Sequence, residues 1–297
     1  MRSPQALVWT VVLLAVLAAG LLITLSQLSA RWGEFSLSES GKPTPAKEAA
    51  TVNGTKAKAK TEGRDRGPLP RQPTLGDPDA PVLLVEFAEF YCPFCAEFAW
   101  ETFPKIQEEY IATGRVRYEF RNLVVHGDAA LLAAVAGECA HDQGGFWPYL
   151  DRLFAAVFPG RNLYRHEELD VAALVRLAEE VGLDREEFAR CLEGYAAHRE
   201  GCREELTRCT RGGGDRAECR RQFVRCMNEN PLYREIVEDR DHLDYRIAHL
   251  PPEEREKAER IGTPTFFLNG RILVGAYPYP VFRDRIEEEL RRLREGG

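Results

Sequence analysis

Cys92 and Cys95 stand three apart with Pro93 and Phe94 between them. Two thiols at this spacing suit reversible dithiol–disulfide exchange, half of a metal site, or a static bridge. The pair follows an apolar run, Pro81 to Phe87, and opens a segment with helical periodicity, so Cys92 falls at a helix N-terminus. There the unpaired amides and the macrodipole favour a thiolate. Cys92 is therefore the expected nucleophile, and Cys95, in the first turn, is placed to resolve a mixed disulfide. No second CxxC and no His pair has zinc-like spacing, which weighs against the metal reading. Glu86, six residues before Cys92, falls on the apolar run. Buried there, its carboxyl group would have a raised pKa and could accept a proton from Cys95; on a solvent-facing strand it would do neither. Thr263-Pro264-Thr265 leads into a second apolar run, and this X-Pro bond is either a cis peptide or an ordinary trans turn.

The elements that must position these residues follow from periodicity. Pro81–Phe87 is too short for a helix and reads as a buried strand. A helix runs from Cys92 to about Tyr110, Gly114 ends it, and Val116–Phe120 alternates as a strand, which makes a parallel strand–helix–strand unit. From Asp128 to about Leu192 the apolar residues recur at three and four, the pattern of several amphipathic helices. Strands return at Thr265–Leu268 and Arg271–Val274, joined by Asn269-Gly270, the strongest short hairpin signal. A helix over about Pro280–Arg294 closes the chain. This is an α/β fold whose two ends pair in one sheet around an inserted helical block.

Three segments carry a family resemblance: Phe87-Ala88-Glu89-Phe90-Tyr91-Cys92-Pro93-Phe94-Cys95, Gly137-Glu138-Cys139-Ala140-His141-Asp142-Gln143-Gly144-Gly145-Phe146-Trp147, and Gly262-Thr263-Pro264-Thr265-Phe266-Phe267-Leu268-Asn269-Gly270. Over about 77–194 and 231–293 the chain resembles the thioredoxin superfamily, specifically the DsbA-like thiol:disulfide oxidoreductases of bacterial envelopes, including the membrane-anchored BdbD type. The resemblance implies a thioredoxin-like fold with a helical insertion at about 127–260. It implies a Cys92–Cys95 redox disulfide, Glu86 as the buried acid, and substrate binding at Thr263 and Pro264 beside Pro93 and Phe94. It also implies a protein that introduces disulfides into exported proteins with free thiols, holds no cofactor or metal of its own, and is reoxidised by a separate membrane partner, DsbB-like or VKOR-like. Relatives often place cysteines near Cys139 and Cys191, which would then bridge two helices; the alternative is two buried thiols acting as small apolar residues. The most oxidising members have His where this chain has Phe94, so a less extreme potential is expected.

Tyr195 to Asn230 departs from the family pattern and carries four of the eight cysteines. Cys202 and Cys209 are seven apart, as are Cys219 and Cys226, so each pair lies on one helix face. Gly212-Gly213-Gly214-Asp215 supplies a turn. In an antiparallel helical hairpin over about 195–230, the bridges Cys202–Cys226 and Cys209–Cys219 share one register. The competing reading, a four-thiolate metal site, has poor spacing.

The remaining features bear on compartment. Leu7–Leu28 is an almost unbroken apolar run long enough to span a bilayer, so residues 1–32 read as a retained membrane anchor or, alternatively, a signal sequence. Residues 33–76 read as a flexible linker before a domain at 77–297; Lys42 to Arg71 holds eight basic and three acidic residues. Arg2 and Arg31 flank the apolar run evenly, but stable structural disulfides belong in an oxidising compartment. The expected arrangement is a single-pass protein whose domain faces the periplasm or cell surface. The net charge of −7 offers nucleic acid no general attraction. The six histidines are scattered and receive no role. Two further functions fit the same residues: a disulfide reductase or isomerase, or a metal-handling or interaction module in which the CxxC clips a soft metal. The latter would lack thioether ligands, since the chain has two methionines.

Overall fold

The computed structural model describes residues 72–295. The apolar run Leu7–Leu28 and nearly all of the expected linker lie outside the described residues. Among the described residues, no helix is long and apolar enough to cross a membrane.

Five strands form one sheet in the order β1-β3-β2-β4-β5. The central strand β2 (Val82–Ala88) pairs in parallel with β3 (Val116–Asn122), Leu84 opposite Tyr118 and Glu86 opposite Phe120. On its other side β2 pairs antiparallel with β4 (Thr265–Leu268), Glu86 opposite Phe266, so the two ends of the chain meet in one sheet. The β4–β5 hairpin (β5, Arg271–Val274) turns at Asn269 and Gly270, both at positive φ, 44° and 87°, as a primed two-residue turn requires. A further strand, β1 (Thr74–Leu75), pairs antiparallel with β3. It occupies the end of the segment expected to be linker, and two residues are too few to show an alternation in sequence.

The helix after the CxxC departs from a plain α-helix. It runs as α1 (Pro93–Glu97), a π-helical stretch Phe98–Thr102, α2 (Phe103–Ile106) and a second π-helical stretch Gln107–Ile111. Pro104 has no N–H to give to the turn before it, and the preceding turn widens so that the Phe103 N–H reaches Phe98 O.

Between β3 and β4 the chain is helical: α3 (Gly127–Asp142), α4 (Phe146–Val157), α5 (Val171–Glu180), α6 (Arg185–Arg211), α7 (Arg216–Met227), α8 (Pro231–Ala248) and the short α9 (Pro252–Arg255). The final helix is α10 (Tyr279–Glu295). Side chains alternate across β2. Val82 and Leu84 pack with Phe98, Tyr118, Phe266 and Phe282 on one face; Val85 and Phe87 pack with Leu243, Phe267 and Ile272 on the other. A third core joins Phe90 and Phe120 to Phe146, Tyr149, Phe154 and Phe188 of the insertion. Glu86 lies on the face of Leu84, which sets its surroundings.

Candidate active site

Cys92 is the N-cap residue of α1, with φ −84° and ψ 117°, and Pro93 occupies the first helical position, where a missing N–H costs nothing. The Cys95 N–H donates to Cys92 Sγ at 3.3 Å, and Cys92 Sγ lies 3.2 Å from the carbonyl oxygen of Thr263. The Thr263–Pro264 bond is cis. The strand end, the helix start and the proline turn therefore converge on one sulfur. Cys92 and Cys95 are unbridged and buried, whereas Phe94 between them is 58% exposed.

The two thiols are driven apart in acidity. The Cys92 thiol is brought down to about 7, chiefly by its hydrogen bond with the Cys95 thiol and further by Thr263 and the N–H groups of Cys95 and Phe94, against the opposing effect of burial. Burial pushes the Cys95 thiol well up, and its contacts with Cys92 and the nearby Glu86 carboxyl group add to this. Glu86 is itself raised to about 8 by burial, opposed by a hydrogen bond from the Tyr118 hydroxyl and reinforced by Cys92. At neutral pH Glu86 thus holds a proton more often than it offers a base, a change of emphasis from the acceptor expected for it.

Sequence reasoning missed two neighbours. Tyr118 fell in the alternation of the second strand, and parallel pairing with β2 brings its hydroxyl to Glu86. Glu89, wholly buried, sits within the motif that leads to Cys92; it accepts from the N–H groups of Val125 and His126 and pairs with His126 Nδ1. Its backbone carbonyl takes the Cys92 N–H at 3.4 Å. An acid three residues before Cys92 was visible in the motif, but its partner, 37 residues on, was not.

The other six cysteines lie away from this site as three disulfides. Cys139–Cys191 ties α3 to α6, and Cys202–Cys226 and Cys209–Cys219 staple α6 to α7. Among the described residues, one group of side chains has metal-ligand proximity, His198, Cys202 and Cys226, and its two sulfurs are bonded to each other.

A thioredoxin family model matches residues 69–201. Disulfide bond formation protein D of Bacillus subtilis (strain 168) is 44% identical over 85 residues, which are 28% of this chain and 38% of that protein. Over this stretch the chain is similar to a disulfide bond formation protein. A probable disulfide bond formation protein D of Bacillus anthracis is 35% identical over 112 residues, 37% of this chain and 52% of that one. The chain thus spans between about two fifths and one half of the length of these curated relatives. The crystal structure of oxidised BdbD from Bacillus subtilis shares the fold, with a TM-score of 0.51 at 24% identity, covering 74% of this chain and 94% of that one.

Proposed function

We propose that this chain is an extracytoplasmic thiol:disulfide oxidoreductase that donates its Cys92–Cys95 disulfide to exported proteins. The observation that carries this is the asymmetry of the pair: Cys92, at a helix N-cap, is acidified to about 7, while buried Cys95 is shifted the other way. A substrate thiolate attacks Cys92 Sγ; the Cys92–Cys95 bond breaks, and Cys95 leaves as a thiolate that takes a proton. Glu86, raised to about 8, is the group placed to supply it. A second substrate thiolate then attacks the substrate sulfur of the mixed disulfide and expels Cys92 as the thiolate. The substrate leaves oxidised by two electrons and the CxxC remains reduced. Thr263 and Pro264, with Pro93 and Phe94, form the surface across which the mixed disulfide lies. Three disulfides outside the site favour an oxidising compartment. An anchor at residues 1–32 would hold the domain at the outer face of the membrane, in reach of a membrane partner that reoxidises it.

One observation favours a second reading, a reductase or isomerase. A nucleophile near 7 resembles that of thioredoxin, about 7, more than that of the strongly oxidising DsbA, about 3.5. The equilibrium reduction potential of Cys92–Cys95 in glutathione buffers separates them. A value between about −120 and −180 mV supports disulfide donation, and one near about −270 mV supports the reductase. Cys92→Ser abolishes exchange under either reading; full exchange in that variant would sink both.

A further inference from the structure

The two bridges of the α6–α7 hairpin have different surroundings. At Cys209–Cys219 the glycine turn closes over the sulfurs: a Cβ placed on Gly214 would lie 2.9 Å from each of them. At Cys202–Cys226 the neighbour is an imidazole. His198 precedes Cys202 by four residues, so the two share a face of α6. Its Nε2 lies 2.8 Å from the carbonyl oxygen of Cys226 on α7 and 3.6 Å from Cys202 Sγ. A carbonyl only accepts, so Nε2 carries the hydrogen and is a donor toward both. Cys202 is wholly buried, whereas Cys226 is half-buried.

We infer that Cys202–Cys226 is a second exchange-active disulfide, in which a thiol attacks Cys226 and His198 stabilises the departing Cys202 thiolate. This activity is separate from that of Cys92–Cys95. Attack falls on Cys226 because it is the less buried of the two, and because the charge then develops on the sulfur that has the donor. A thiolate attacks Cys226 Sγ, the Cys202–Cys226 bond breaks, and Cys202 leaves as a thiolate that accepts from His198 Nε2–H. A second thiolate attacks the incoming sulfur of the mixed disulfide and expels Cys226 as the thiolate. The two thiols depart as one disulfide, and the two electrons they lose remain on Cys202 and Cys226. A disulfide sulfur is a weak acceptor, so at 3.6 Å the contact counts for little while the bridge is intact. Once the bond breaks, the buried Cys202 sulfur carries a full charge and the same N–H becomes a charge-assisted donor to it. The gain therefore falls on the reduced state and on the bond-breaking step, since a less basic leaving thiolate departs faster. The contact with the Cys226 carbonyl links α6 to α7 whether or not the sulfurs are joined, which keeps the dithiol assembled.

The test uses the full chain carrying Cys92→Ser and Cys95→Ser, which removes exchange through that pair. It is equilibrated in glutathione buffers, trapped with an alkylating agent and read bridge by bridge by mass spectrometry. The equilibrium constant for reduction of Cys202–Cys226 by glutathione is expected to exceed that of Cys139–Cys191 by at least about tenfold, the scale of a hydrogen bond to a charged group. Glutathione caught in the mixed disulfide is expected on Cys226. His198→Phe keeps a ring but removes the donor, and the Cys226 carbonyl retains the Glu229 N–H at 3.1 Å. This variant should lower the constant for Cys202–Cys226 by about tenfold, while that of Cys209–Cys219, in the same hairpin, moves by less than about threefold. A merely structural role for His198 would shift both hairpin bridges together, and that result overturns the second site. So does a constant that His198→Phe leaves unchanged, a Cys202–Cys226 bridge no easier to reduce than Cys139–Cys191, or glutathione found on Cys202 in place of Cys226.

Discussion

At neutral pH Cys92 stands near the midpoint of its titration while Cys95 stays protonated, and the reactivity of the site follows from that difference. In the reduced chain, alkylation by iodoacetamide is expected at Cys92 alone, with a rate that rises with pH and reaches half its plateau near pH 7. Mass spectrometry of the modified chain checks both position and midpoint; a midpoint near the ordinary thiol value of about 8.5 would remove the basis for naming Cys92 the nucleophile. Glu86 adds a second expectation. Glu86→Gln keeps an acceptor for the Tyr118 hydroxyl but removes the titrating proton. Reduction of the disulfide by a thiol substrate at pH 7 should slow by at least about tenfold, at the lower edge of what a positioned acid contributes, while the Cys92 alkylation midpoint moves little. An unchanged rate would leave Glu86 a structural residue. The positions of Cys92 and Glu86 were legible from sequence because a strand followed by a CxxC fixes both. The Glu89–His126 pair was not, because nothing local to either residue announces a contact across 37 positions.

The elements differ in how openly their sequences declare them. The β4–β5 hairpin is readable because Asn269 and Gly270 are the residues that tolerate positive φ, β2 because a short apolar run bounded by turns has few other fates, and β3 because Val116–Phe120 alternates. The π-helical turns around Pro104 are not readable, since a proline can equally end a helix, and what keeps this one going is packing of Phe98, Phe103 and Ile106 against the sheet. The stapled pair α6–α7 lies between: a spacing of seven on both arms specifies a register, and its surface is otherwise too polar to bury much. Arg203 adds an ion pair to Asp128 of α3 at 2.8 Å, and Cys139–Cys191 a covalent tie. Loop-closure entropy then ranks the bridges. Cys139–Cys191 spans 52 residues and Cys209–Cys219 only 10, so on a chain-entropy estimate their removal costs about 4 and about 2.7 kcal/mol respectively. Paired Cys→Ser replacement, read by denaturant titration, should show the larger loss for Cys139–Cys191. For Cys209–Cys219 the effect should centre on faster amide exchange within the hairpin. The reverse order would mean that the hairpin, not the α3–α6 tie, governs the stability of the insertion.

At the scale of the whole molecule, the helical insertion is joined to the sheet by a buried polar chain. Arg121 pairs with Glu119 and, at 3.0 Å, with Asp239 of α8; the Asn122 N–H donates to the same carboxylate at 2.8 Å, and its side-chain amide donates to Glu138 of α3 at 2.6 Å. Burial raises Glu138 to about 8 and Asp239 to about 7, and their mutual repulsion raises Glu138 further. An acid that binds its proton more tightly when folded contributes stability that is fully present below the unfolded pKa, about 4, and is lost as pH rises through the folded value. Glu86, raised to about 8, acts in the same direction. His242 acts in the opposite direction: burial beside Arg121 and Arg246 lowers it to about 4, so folding favours its neutral form and its contribution is lost as pH falls from about 6.5 to about 4. Three raised acids outweigh one lowered histidine, so the melting temperature of the oxidised chain, in which Cys92 does not titrate, is expected to decline from about pH 4 to about pH 8, less steeply below about pH 6.5 where His242 opposes the acids. Glu138→Gln keeps the contact with Asn122 but cannot ionise, so it should make the decline between about pH 4 and pH 8 shallower. Thermal unfolding from pH 4 to 9 at fixed ionic strength reads this slope. A slope of equal steepness in parent and variant would show that the junction between insertion and sheet does not carry the proton that links stability to pH.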